Sequence, residues 1–329
     1  MVENECNGSV LEEFFSLAMD TVPDFVTKEA KINQSARLSH GLLRHVRKAD
    51  LSDRYTKAVT KELEKATQPQ EQSYCIIQLA TAFQKSSVHD EAVLELLLRV
   101  NYSCNHGEVE SDQMYIETAR AALLRCLEVV VASKNLKQVQ KLVSIAESIY
   151  KNEELSGVCR QVLQFWETGD ANNDVKKTNK KKRRASEAST VCLDMANRTN
   201  AMFVALLGNL ALFLCTQPLD PEMLEIIEDI KTCFKKARDS ANAICPPNKR
   251  QKTETNSEDN EPEMSWNVVL TDALVILLEQ GCRYLRSLSR ETFQTLVQEG
   301  NASLDVIEHI GTTLQNSEGL SCYHWNQVY

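Results

Sequence analysis

Apolar residues near the start of the chain recur with the spacing of an amphipathic helix. Phe14, Ala18 and Val22 follow one another at intervals of four, so they share one helix face. Ser9 and Glu12 precede them with the spacing of a capping box, in which each side chain satisfies a backbone N–H of the first turn. The pattern predicts a helix that begins at Ser9.

The same spacing continues along the chain. Leu38, Leu42 and Val46 form a second face. The periodicity then predicts helices, in chain order, at 52–66, 71–85, 90–103, 111–133, 136–151, 153–168, 188–215, 221–241 and 265–288, followed by two shorter helices near 289–298 and 303–315.

Two segments are apolar on more than one side, and a third is the most apolar run of the chain. Residues 75–83 and 121–132 would each need neighbours on two flanks, so we expect them in the middle of a helical stack. Residues 202–215 form the most apolar run, which at about 14 residues is too short to span a bilayer. We expect this run to be the core helix of a second block.

These patterns predict an all-α protein. The chain contains only 10 Gly and 7 Pro, whereas a protein of many short strands needs more turn residues. Successive helices joined by short turns resemble the helical-hairpin stacks of HEAT and armadillo proteins, an α-solenoid, although no repeat of fixed period is present. An irregular stack of this type and a compact helical bundle both fit the pattern.

Two polar segments interrupt the helices and predict disordered linkers, because they contain almost no large apolar residue to bury. The predicted organisation is an N-terminal helical domain, a basic linker, a central helical hairpin, a second linker and a C-terminal helical segment packed with the hairpin. Their limits are 1–168, 169–187, 188–242, 243–263 and 264–329.

Charge is distributed unevenly. The chain carries a formal net charge of −9, but residues 169–186 contain five Lys and two Arg against two Asp, which is +5 and leaves −14 for the rest. An acidic body repels phosphate backbones, so any contact with nucleic acid would have to be local and indirect.

Both linkers contain basic clusters that resemble monopartite nuclear localisation signals, since each satisfies the pattern K-K/R-x-K/R. An import receptor binds such a segment in extended form, with successive cations in acidic pockets. No aromatic residues are interleaved to stack on bases, which disfavours direct binding of nucleic acid by these segments. The predicted signal residues are Lys180, Lys181, Lys182, Arg183, Arg184, Lys249, Arg250 and Lys252.

The first cluster runs directly into a candidate phosphorylation site. The residues before Ser186 give the pattern R-R-x-S, which is typical of substrates of basophilic kinases. A phosphate there would add about −1.5 to −2 charges beside the cations and would weaken binding to the import receptor.

The cysteines indicate a reduced, intracellular protein. None of the 11 lies in a C-x-x-C motif, and the most apolar helices contain several of them, so we expect small buried hydrophobes. The N-terminus has neither a basic leader nor an apolar segment, and no apolar run is long enough for a membrane span. The cysteines in question are Cys75, Cys126, Cys215 and Cys233.

No catalytic, cofactor or metal site is predicted. Cys104 and His106, like Cys322 and His324, are separated by one residue and lack a second pair at zinc-finger spacing. Phosphate-binding glycine loops and nucleophile motifs are missing from the sequence, and glycine poverty disfavours the strained turns that they need. We expect a protein without enzymatic activity.

Two further features leave alternatives open. Residues 40–48 carry two His and three cations on a predicted helix end, where they would either complement the helix dipole or bind a partner. The C-terminal sequence YHWNQVY, residues 323–329, has three aromatic residues, and it would either pack on the last helices or dock elsewhere as a linear peptide.

The sequence therefore predicts a non-enzymatic nuclear scaffold that binds other subunits of a nuclear complex, in a setting such as genome maintenance, DNA repair or chromosome organisation. Helical stacks present long surfaces for partners and need no catalytic residues. One alternative is a nucleic-acid-associated protein that uses the basic linkers, and another is a cytoplasmic trafficking adaptor. The pattern predicts no particular oligomeric state.

Overall fold

The computed structural model describes residues 49–85, 91–106, 112–150, 153–177, 187–244 and 265–316. Every regular element in these ranges is an α-helix, which confirms the predicted all-α class. The helices are α1 (Ala49–Lys65), α2 (Pro69–Lys85), α3 (Glu91–His106), α4 (Gln113–Ser133), α5 (Leu136–Ile149), α6 (Glu153–Lys177), α7 (Glu187–Leu214), α8 (Pro221–Ile244), α9 (Trp266–Glu279), α10 (Arg283–Gln298) and α11 (Leu304–Asn316). The helices predicted around residues 9–22 and 38–46 lie outside these ranges.

The chain forms two compact units. Unit 1 comprises Met1–Gln161 and Ala211–Leu219, and unit 2 comprises Val162–Leu210 and Asp220–Tyr329. The dividing points fall within α6 and α7 and at the start of α8.

Helices α2 and α4 form the centre of unit 1. Helix α2 packs against α1, α3 and α4, while α3 packs also against α4 and α5. The two-sided apolar segments at 75–83 and 121–132 belong to these central helices, and most of their large side chains are fully buried. The predicted position of both segments in the middle of a stack is confirmed.

Capping residues mark both ends of α4 and the start of α5. Asp112 begins α4 by accepting a hydrogen bond from the backbone N–H of Met114 at 2.8 Å. Lys134 ends it in the left-handed region, with φ of 53°. Asn135 then begins α5 by accepting from the N–H of Gln138. Two residues therefore suffice to join the helices.

Buried polar side chains connect the helices of unit 1. The Tyr55 hydroxyl on α1 donates to the Oε1 atom of Gln78 on α2 at 2.9 Å. The side-chain amide of Asn101 on α3 donates to the carbonyl of Ala119 on α4 at 3.0 Å. The buried Tyr150 hydroxyl donates to the carbonyl of Cys215. Such bonds specify helix register, because a polar group left unpaired in the core costs about 1–3 kcal/mol.

Unit 2 is organised around α9, which packs against α8, α10 and α11. The Phe203 ring of α7 lies 5.3 Å from the Phe234 ring of α8 and 5.7 Å from the Trp266 ring of α9. Residues 202–215 are buried at all but one position, which confirms their prediction as a core helix. None of the described helices combines the length and the hydropathy that crossing a membrane requires.

The prediction of one helix over residues 265–288 is wrong. Helix α9 ends at Glu279, and Gln280 has an extended ψ of 131°. Cys282 is also extended, and α10 begins at Arg283. Gly281 between them has low helix propensity, and the break lets α10 fold back against α9 and bury a face of its own.

The predicted linkers are only partly covered by the described residues. Helix α6 continues to Lys177, past the predicted linker start at 169, and α7 begins at Glu187. Residues 178–186 and 245–264 lie outside the described ranges. The remaining limits of the linkers and domains stay predictions, as does the choice between an irregular stack and a compact bundle.

Candidate interaction surfaces

The predicted localisation and phosphorylation residues all lie outside the described ranges. The same holds for residues 40–48 and for the aromatic C-terminus at 323–329. The predicted residues concerned are Lys180, Lys181, Lys182, Arg183, Arg184, Ser186, Lys249, Arg250 and Lys252.

The four singled-out cysteines are core residues, as predicted. Cys75, Cys126, Cys215 and Cys233 are each at most 2% exposed. Burial raises the pKa of the Cys75 and Cys233 thiols to about 11 and that of Cys126 to about 12, and it also raises the pKa of Cys215. A protonated, inaccessible thiol is a poor nucleophile, so these residues contribute packing rather than chemistry.

Cys104 on α3 is half-buried, and burial raises the pKa of its thiol. Across the ranges that the structure describes, no group of three or more His, Cys, Asp and Glu side chains is placed to hold a metal ion. Cys322 and His324 lie outside those ranges.

Helix α10 presents a row of exposed arginines. Arg283, Arg286 and Arg290 are spaced by three and four residues, so they share one face over about 10 Å of helix. We call these three residues the arginine stripe. The same face continues to Val297, whose side chain is 50% exposed. The opposite face is buried and holds Tyr284, Leu285, Leu288 and Leu296.

Two arginines of the stripe, Arg286 and Arg290, carry charge that is available to a partner. Arg286 and Arg290 form no ion pair with any other described residue. Guanidinium groups stay protonated at all physiological pH values and form planar, bidentate bonds with carboxylates and phosphates. The arrangement therefore suits an anionic ligand with several binding points.

The first turns of α8 carry the opposite charge. Glu222, Glu225 and Asp229 are exposed and are spaced by three and four residues, like the arginines of α10. Glu228 on the same helix pairs instead with the nearly buried Lys231 at 2.6 Å. Unit 2 thus has separate acidic and basic helix faces, and its surface is not uniformly acidic.

Lysines line one face of α1 in unit 1. Lys57, Lys61 and Lys65 are exposed at intervals of four, and Lys65 pairs with Glu62 at 2.7 Å. Lys141 on α5 pairs with Glu91 of α3. These local pairs neutralise part of the lysine charge, so the arginine stripe is the stronger anion-binding candidate.

The last described helix leaves apolar side chains in solvent. Leu304 and Ile307 on α11 are 68% and 60% exposed, whereas Val306 is fully buried. His309 of α11 contacts the Asp272 carboxylate of α9 on the packed side. Leu304 and Ile307 therefore face away from α9.

Sequence reasoning did not single out the arginine stripe or the apolar face of α11. The signal for the stripe was present, since three Arg at intervals of three and four stand after Gly281. The stripe was missed because the helix predicted over residues 265–288 runs through Gly281 without a break. The exposure of Leu304 and Ile307 depends on which neighbours are present, and periodicity does not supply that information.

Comparison with known proteins gives one match. No curated protein and no solved structure matches the chain. The model of one family, described as DNA polymerase phi, matches residues 26–318, which are 293 of the 329 residues. The match spans both compact units. The chain therefore belongs to the DNA polymerase phi family.

Proposed function

We propose that this protein is a non-enzymatic α-helical scaffold of the nucleus, which binds other proteins in genome maintenance or chromosome organisation. Membership of the DNA polymerase phi family supports a nuclear protein in that setting. The observation that carries the scaffold role is the exposed pair Arg286 and Arg290 of the arginine stripe, which forms no ion pair with any other described residue.

The spacing of the stripe favours a helical protein partner. Arg283, Arg286, Arg290 and Val297 follow the three-and-four spacing with which one helix contacts another over several turns. An acidic amphipathic helix would place carboxylates against the guanidinium groups and an apolar side chain against Val297. Exposed ion pairs contribute only about 0–1 kcal/mol each, so such a partner would have to engage several positions.

Charge reversal of the stripe tests this role. We would compare the tagged full chain with an R286E/R290E variant by affinity purification from nuclease-treated nuclear extract and quantitative mass spectrometry. A K61E/K137E variant is the matched control, because it makes the same charge change on exposed residues of unit 1. We expect the recovery of a defined set of proteins to fall about tenfold or more with R286E/R290E and to stay unchanged with K61E/K137E. Equal recovery with all three chains would contradict the role.

The absence of enzymatic activity is part of the proposal. Nucleotidyl transfer requires carboxylates that hold two metal ions about 4 Å apart at a primer terminus. We expect the purified chain to extend no primer with Mg²⁺ or Mn²⁺ and all four nucleotides. Template-dependent extension that survives further purification would contradict this part of the proposal.

The second candidate function is that of a nucleic-acid-associated protein. The arginine stripe and the lysines of α1 favour this candidate. Binding through phosphates falls steeply between about 50 and 200 mM salt. Fluorescence anisotropy with a duplex oligonucleotide would separate the candidates. The scaffold proposal expects no binding at 200 mM salt, whereas binding there that both R286E/R290E and K61E/K137E weaken would favour the second candidate.

Nuclear import through the two basic segments also belongs to the proposal. A reporter fused to residues 169–190 should accumulate in the nucleus, and replacing Lys180, Lys181 and Lys182 by Ala in the fusion should abolish this. A reporter that stays cytoplasmic would favour the trafficking adaptor. If Ser186→Glu leaves the nuclear fraction of the full chain unchanged, phosphorylation of Ser186 does not regulate import.

A further inference from the structure

Helix α11 packs against α9 with one face and exposes apolar side chains on the opposite face. Val306 faces the core and is fully buried, but Leu304 and Ile307 lie about 60° apart on the far side and are mostly exposed. Two large apolar side chains on one solvent face indicate a contact that another segment completes.

Gly311 lies on the same face. It follows Leu304 by seven residues and Ile307 by four, which places all three within about 60° around the helix axis. Nothing lies within 4 Å of the position where a Cβ atom would stand. Glycine is unfavourable inside a helix, and the open space at Gly311 lets another segment approach the helix closely beside Ile307.

The residues that follow α11 have the composition and the reach to cover this face. The chain continues for 13 residues after Asn316, and these include Gly319, which permits a reversal of direction. An extended segment of this length spans up to about 43 Å, more than twice the roughly 20 Å length of α11. Its large apolar residues are Leu320, Tyr323, Trp325, Val328 and Tyr329.

We propose that residues 320–329 dock on the apolar face of α11 formed by Leu304, Ile307 and Gly311, within the same molecule. The covalent connection at Asn316 gives this segment a high effective concentration at the face, which favours it over a separate peptide. Docking buries the aromatic side chains that would otherwise be exposed. This inference does not depend on the arginine stripe.

Fluorine NMR of the full chain labelled with 5-fluorotryptophan tests the docking. The chain contains three Trp, and the resonance of Trp325 is assigned with a Trp325→Phe variant. We expect this resonance to differ from that of the isolated peptide 317–329 and to show a reduced solvent isotope shift. In an L304D/I307D variant it should move to the position of the peptide.

The matched control is an I276D/L278D variant, which alters two exposed apolar residues of α9 and should leave the Trp325 resonance in place. A Gly311→Lys variant offers a second route if L304D/I307D fails to fold, because the position has open space for a side chain. It should also shift the resonance towards the peptide position.

Three results would overturn the proposal. The Trp325 resonance of the parent chain could coincide with that of the peptide. It could respond equally to the α9 and α11 variants. It could shift with protein concentration, which would assign the C-terminal segment to a second copy of the chain.

Discussion

Helices α9 and α11 belong to the same unit and are both rich in apolar residues, yet their surroundings differ. Helix α9 contacts α8, α10 and α11, and Leu270, Leu274 and Leu277 are at most 1% exposed. Helix α11 contacts α9 and completely buries only Val306 among its residues with described side chains. An apolar side chain is therefore a core residue in one helix and a candidate contact in the other.

Both proposals of binding in this protein therefore concern helix faces that lack a neighbour among the described residues. The covered faces carry stability, whereas the arginine stripe is proposed to bind a partner and the apolar face of α11 to bind residues 320–329. Substitutions should divide accordingly into those that lower the free energy of unfolding and those that change binding alone.

The largest expected effect is the contrast between Leu274→Ala in α9 and Leu304→Ala in α11. Leu274 is 1% exposed, so its truncation should leave a cavity and lower the free energy of unfolding by about 2–5 kcal/mol. Leu304→Ala should lower it by only about 1 kcal/mol or less, because no described neighbour covers this side chain and only the proposed docking of residues 320–329 would bury part of it. Urea unfolding monitored by circular dichroism measures both. Comparable losses would erase the distinction between the two helices.

Alkaline pH should destabilise the fold through buried thiols. Burial raises the pKa of Cys126 from an ordinary value of 9.0 to about 12, so the unfolded state loses this proton at a lower pH than the folded state. Stability is therefore complete below about pH 9 and falls as the pH rises towards 12, by at most about 1.4 kcal/mol per pH unit for one thiol.

Unfolding midpoints between pH 8 and pH 11 test this linkage. Cys126→Ala should flatten the pH dependence, although it also removes some packing at every pH. Cys282→Ala is the control, since Cys282 is only half-buried at the start of α10. Equal slopes in the parent chain and in Cys126→Ala would contradict the assignment.

A smaller loss is expected from Tyr284→Phe on α10. The Tyr284 hydroxyl lies 3.0 Å from both the backbone oxygen and the Oδ1 atom of buried Asn209 on α7. Removing it leaves those oxygens without this donor and should cost about 1–3 kcal/mol. Tyr115→Phe is the control, because Tyr115 on α4 is only half-buried, and its expected change is below about 0.5 kcal/mol. A change below about 0.5 kcal/mol for Tyr284→Phe as well would show that its hydrogen bond does not stabilise the fold.

The smallest change in stability is expected from R286A/R290A, which removes two exposed cations without disturbing the buried face of α10. The free energy of unfolding should change by less than about 0.5 kcal/mol, while recovery of stripe-dependent partners should fall. Thermal unfolding and affinity purification of the same preparation separate the two effects. A large loss of stability would mean that the arginines serve the fold.

The sequence alone predicts most of the buried core but little of the candidate binding surface. Residues 121–132 were predicted as a central segment because their apolar residues surround the helix, and a helix of that kind needs neighbours on two sides. The break at Gly281 was missed because Glu279, Gln280 and Gly281 form only a three-residue interval between two apolar patterns, and one continuous helix also accommodates so short an interval. The exposure of Leu304 depends on which tertiary neighbours exist, so periodicity alone cannot supply it.

The most direct test of the scaffold role is affinity purification of the tagged full chain from nuclear extract, with and without nuclease, followed by quantitative mass spectrometry. The account predicts that the main partners persist after nuclease treatment and that R286E/R290E removes part of them. Loss of all partners upon nuclease treatment would mean that nucleic acid bridges them, and it would contradict a protein scaffold.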